Sequence, residues 1–211
     1  MSNHTLAGEI RALSEITPRR GVAALCVEVV LIAACVGLAV AFPTLTPLAA
    51  LLIATRQSAL TDLLHAGVHH HLCPDVRLND LLSEAIAWPM GFSAAAYRRD
   101  HCHDHDLDAP PPLALSAMMR PEAGHLSLLY RMSLLSFYAA VLIGVVSLGL
   151  VGEVLSLWLL PRLMMPLLPA NTGTLDLARL QVYTAQYRTS HLRFPSVPWY
   201  HLGRLDARLE N

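Results

Sequence analysis

An almost wholly apolar stretch from Val22 to Phe42 constrains this chain more than any other feature. A run of about 20 such residues is the length a helix needs to span the hydrocarbon core of a bilayer. Glu28 is its one charge, and its place near the start puts it at the expected interface. The polar residues 1–20 carry no secretory cleavage pattern, so the run is expected to stay in the protein as an anchor. A second span is read over about 47–66, after Pro43 and Pro47. It contains Arg56 and Asp62. Charge facing lipid is costly, so these two are expected to face the bundle interior and pair there. A third run covers about 126–150 and a fourth about 153–169, with Gly149 and Gly152 suited to the turn between them. Pro161 and Pro166 are expected to kink the fourth, and Arg162 sits inside it.

Composition agrees with this pattern. Hydrophobic residues make up 54% of the 211 and charged residues 15%, against about 25% charged in a typical soluble domain. The net charge of -1 removes the basic face that a nucleic-acid binder needs. The four cysteines, Cys26, Cys35, Cys73 and Cys102, form no C-x-x-C pair, so neither a disulfide framework nor a zinc ribbon is expected. All 15 basic residues are arginine. Outside the spans, which hold Arg56, Arg131 and Arg162, they lie before the first span, in the central segment and in the tail, while the two inter-span turns carry none. The positive-inside rule then places both termini and the central segment in the cytoplasm, in a bacterial inner membrane. The reading is a single all-α integral membrane domain over 1–211. Its four transmembrane helices form two hairpins with a cytoplasmic helical cap, and the histidine segments 65–125 and 171–211 share one side. Trp88, Trp158, Trp199 and Tyr200 are expected to anchor at headgroup depth.

Eleven histidines are the second unusual feature, and most cluster. His65 and His69 stand four apart at the end of the second span, so they share a face if the helix continues. His70 and His71 follow. In His101-Cys102-His103-Asp104-His105, residues 101, 104 and 105 share a helical face. His191, and His201 beyond it, lie in the tail. Imidazole is the commonest metal-ligating side chain near neutral pH and suits iron, zinc and copper, and a carboxylate such as Asp104 can complete such a site.

These segments resemble the membrane-bound fatty acid desaturases. The likeness runs through Arg56-Gln57-Ser58-Ala59-Leu60 and His65-Ala-Gly-Val-His69 to Leu78-Asn79-Asp80. It continues through Trp88-Pro89-Met90-Gly91-Phe92, then Tyr97-Arg98-Arg99-Asp100-His101. It resumes in Ser190-His191-Leu192-Arg193-Phe194-Pro195, and in all it covers most of 50–105 and 187–202. The resemblance implies a cytoplasmic di-iron centre ligated by histidines, with His65, His69, His101, Asp104, His105 and His191 as the matched ligands. It also implies O2-dependent desaturation or hydroxylation of a lipid acyl chain and an electron donor such as a ferredoxin or cytochrome. The pattern departs at Ala66, where an acidic residue is usual, at Asp104, and at Tyr187 and Ser190, where imidazoles are usual. A second expectation therefore stands beside the first: a catalytically inactive, desaturase-like subunit of a larger membrane complex. A metal-binding membrane protein of another class is the third.

Overall fold

The computed structural model describes residues 3–104, 113, 128–165 and 188–209. These are all-helical apart from one isolated antiparallel bridge between Phe92 and Leu113. Helix α1 covers Asn3–Leu13, α2 Arg20–Ala41, α3 Thr46–Val68, α4 Val76–Ala87 and α5 Ala94–Asp104. Helix α6 covers Leu128–Ser147. Short helices α7, Val151–Val154, and α8, Leu160–Met164, are joined by a π-helical turn at Leu155–Leu159. Helix α9, Arg188–Arg193, and α10, Trp199–Leu209, follow.

Two of these helices, α2 and α6, are long and apolar enough to cross a membrane. Helix α3 has the length, but Arg56, Gln57, Thr61 and Asp62 interrupt its apolarity. The described part of the expected fourth span is too short to cross, and residues 166–169 lie outside the described residues. The structure thus supports an all-α chain with two helices of membrane-crossing character.

Helix α3 is the centre of the fold: most of its residues are buried, the polar Arg56 and Gln57 among them. Its Ile53, Leu63 and Leu64 are fully enclosed, and α2, α4, α5 and the π-turn segment pack around it. Pro43 opens the short 3₁₀ turn Pro43–Leu45 that joins α2 to α3, and Pro47 sits in the first turn of α3. Proline suits that position because the first helical amides lack partners anyway. The π turn has a local cause as well. Pro161 has no N–H to give the preceding turn, and the Gln57 amide donates to the Trp158 carbonyl at 3.0 Å.

Three hydrogen-bond networks aim the segments that carry the histidines. First, α3 ends in a Schellman motif, with His70 N–H on the Gly67 carbonyl and His71 N–H on that of Ala66. His70 takes the left-handed conformation at φ 60, the position that Gly91 and Gly149 occupy after α4 and α6. Second, the exposed carbonyls at the end of α3 are taken by α4 and α5. Asn79 donates to Gly67 at 2.8 Å, and Arg98 donates to Gly67 and Val68 at 3.0 Å each. A cation there also complements the negative end of the helix dipole. Third, the Glu84 carboxylate accepts the Ala94 and Ala95 amides at the start of α5 and the Tyr130 hydroxyl of α6. Gly21 fixes α2 against the turn after α3: a Cβ there would stand 2.4 Å from the Leu72 carbonyl oxygen.

Two sequence expectations are corrected. Glu28 is buried and pairs with Arg56 at 3.4 Å, so Arg56 faces α2 rather than pairing with Asp62. Trp199 is not a headgroup anchor; it is buried with Leu202 and Leu205 in the core, because α10 is strongly amphipathic and lays that face on the bundle. The Thr17 amide donates to the Tyr200 hydroxyl at 2.7 Å, joining the two ends of the chain.

Candidate metal centre

Four imidazoles from three separate stretches meet at the end of α3. His65 and His69 come from the last turn of α3 and its cap, His101 from α5, and His191 from α9. His65, His101 and His191 are buried and His69 is half-buried. Their Nε2 atoms form a chain of close approaches: His65 to His191 at 3.0 Å, His191 to His69 at 3.3 Å, and His69 to His101 at 3.1 Å. One ligating nitrogen from each lies within 4.8 Å of every other.

A neutral imidazole nitrogen carries one proton or one lone pair. The Nε2 of His191 faces two other ring nitrogens at once, and one in-plane group cannot serve both well. A cation receiving all the lone pairs resolves the conflict. Bonds of 2.0–2.1 Å in tetrahedral array put ligand nitrogens roughly 3.4 Å apart, close to the spacing found here. The four side chains therefore fit a single metal ion as a donor set.

The electrostatics favour the ligating form. Burial, then the neighbouring His65, His191, His71 and His101, hold His69 well below the usual imidazole range, so it stays neutral with a lone pair to give. His71 is lowered to about 4, chiefly by burial, against the pull of a hydrogen bond to the Ser196 backbone. Tyr97 completes the arrangement from outside: its hydroxyl lies 3.0 Å from His65 Nδ1. A partner on Nδ1 fixes the tautomer and the ring orientation, leaving Nε2 to face the centre. Burial is the main cause that pushes the Tyr97 hydroxyl above its usual range, so it stays neutral, and its oxygen accepts the His65 Nδ1–H in the tautomer that leaves the lone pair on Nε2. Tyr97→Phe is expected to weaken metal binding about 10–100-fold with the fold intact, measured by competition against a chelator. An unchanged affinity would show that the hydroxyl does not orient His65.

The structure thus brings together His65, His69, His101 and His191 of the expected ligands. The Asp104 side chain and all of His105 lie outside the described residues, as does Tyr187. Ser190 donates its hydroxyl to the Asp206 carboxylate. Ala66 is buried and offers no ligand. His70 lies beside Asn79 and Asp80, and His71 stacks on His69 at 5.8 Å between centroids. Tyr97 is the functional residue that the motif reading missed. Its signal was present, because it precedes His101 by four residues and so shares its face on α5.

No protein-family model, curated protein or solved structure matches this chain.

Proposed function

We propose that this chain is a membrane-embedded, iron-dependent oxidase that uses O2 to desaturate or hydroxylate a lipid acyl chain. The observation that carries the reading is the convergence of four histidines from three separate stretches on one point. Packing alone gives no reason for four polar rings, three of them buried, to meet. In this reading Asp104 and His105 add to the ligand set of His65, His69, His101 and His191.

The outer surface supports a membrane setting. Only 17% of the apolar window of α2 and 6% of that of α6 is buried, whereas the core helix of a soluble protein would be covered. Exposed residues on α6 include Leu135, Leu142, Ile143 and Val146; a surface of this kind belongs in lipid. The proposed topology is four spans in two hairpins, with both termini and the histidines on the cytoplasmic side.

When bound, iron supplies the O2 chemistry that an unactivated C–H bond requires, since such a bond offers no acidic proton and no leaving group. The side chains hold and orient the metal and keep water away. An apolar cavity of about 290 Å³ opens between α2, α3, α4 and the π turn, lined by Leu25, Val29, Ile32, Leu60, Met90 and Trp158. Its walls suit a hydrocarbon chain. A ferredoxin or cytochrome is the expected electron donor.

The test is incubation of the iron-loaded chain in lipid vesicles with reduced ferredoxin, O2 and acyl lipids, followed by mass spectrometry. A product two hydrogens lighter or one oxygen heavier, absent without O2 and absent in His191→Ala, is the expected result. No product from iron-loaded chain across a range of acyl lipids and donors overturns the reading. The engagement of Ser190 with Asp206, at a position where the resemblance expects an imidazole, favours the inactive subunit of a membrane complex as the second reading. Stable co-purification of a membrane partner alongside absent turnover would support it.

A further inference from the structure

The geometry points to one metal ion shared by His65, His69, His101 and His191, where the resemblance implies a pair. This inference rests on the metal reading above and changes its stoichiometry. In a two-ion centre the ions stand about 3.5–4 Å apart and divide the ligands between them. With bonds of about 2.0–2.1 Å, ligands on the outer sides of two such ions stand roughly 7–8 Å apart. Here the successive Nε2 contacts are 3.0, 3.3 and 3.1 Å, and they link all four histidines in one chain. One ligating nitrogen from each of the four lies within 4.8 Å of every other, a spread too small for ligands arrayed around two ions. The set is a single shell that draws on all three histidine-bearing stretches.

The neighbouring donors are turned to other tasks. Ser190, next to a ligand, donates to Asp206. His71 stacks on His69 and is hydrogen-bonded to the Ser196 backbone. His70 lies against Asp80, 3.7 Å away, and Asn79. His201 sits on α10 beside the Tyr200 ring. Among the described residues, the four-histidine cluster is the one group of three or more donors close enough to share an ion.

The decisive measurement is the metal count of the purified full chain in detergent. It is loaded in parallel with Fe(II) and with Zn(II), dialysed, and read by inductively coupled plasma mass spectrometry against amino-acid analysis. One ion per chain is the expected result, with metal falling to background in His101→Gln. His71→Gln is expected to keep one ion, which controls for loss of fold in the first variant. For the Fe(II) sample, nitric oxide is expected to give a paramagnetic resonance signal integrating to one mononuclear centre per chain. Two ions per chain overturn the single-ion inference and leave the oxidase reading standing. No metal in a wild-type chain that is helical by circular dichroism overturns both. Equal loss in His71→Gln and His101→Gln overturns the assignment of the shell.

Discussion

Glu28→Gln is expected to destabilise the fold by about 3–5 kcal/mol, because it leaves the buried Arg56 guanidinium without its counter-charge. The pair joins α2 to α3 through contacts of 3.4 Å from Nη1 to each carboxylate oxygen, and the two side chains are only 10% and 7% exposed. Arginine cannot shed its proton to escape burial, so the substitution strands a full charge. Its remaining bond, from Nε to the Thr55 hydroxyl at 3.2 Å, is too little compensation. The double variant Glu28→Met/Arg56→Met is expected to recover most of the loss or to exceed the parent. Two charges taken from water rarely gain more from each other than well-packed apolar side chains of similar volume gain. Unfolding in mixed micelles, followed by circular dichroism, measures both. If the single variant falls within about 1 kcal/mol of the parent, the pair behaves like an exposed one and the burial argument fails.

Much of the candidate site was legible from spacing. His65 and His69 at the end of an apolar run, and His101 further on, announce donors on helical faces, and those faces do meet. His191 was legible only through its neighbours in the resemblance, because nothing local marks one histidine in a polar tail. The choice of charge partner was not legible. Arg56 and Asp62 share one helix, and the rotation that points Arg56 at Glu28, 28 residues earlier, is set by how α2 packs on α3. Trp199 carried the same ambiguity. An aromatic ring suits an interface or a core equally well, and the apolar face made with Leu202 and Leu205 decided for the core. The Schellman turn at His70 was hidden for a different reason. That position usually holds glycine, and here a histidine takes it between two residues of the cluster region.

Acidifying the metal-free chain from pH 7 to pH 4 is expected to remove about 3 kcal/mol of stability through His71 alone. Its imidazole titrates at about 4 in the fold, against 6.5 for an unperturbed side chain, chiefly because burial disfavours the charged form. Above 6.5 both folded and unfolded states are neutral, so the fold has its full stability. As the pH drops below 6.5, the unfolded chain takes up a proton that the folded chain refuses, and the loss grows until the folded group also titrates. His69 is shifted in the same direction, by burial and by the surrounding histidines, so the decline should be steeper than one group produces. Saturating metal is expected to raise stability at pH 7 and to lose that advantage in acid, because protons and metal compete for the same lone pairs. His71→Gln should flatten the metal-free curve between pH 6.5 and 4 without changing the metal count. Denaturation midpoints across this range, with and without metal, measure both effects. A flat metal-free profile would mean that His71 and His69 titrate as solvent-exposed imidazoles in the native state, against the burial that keeps them neutral.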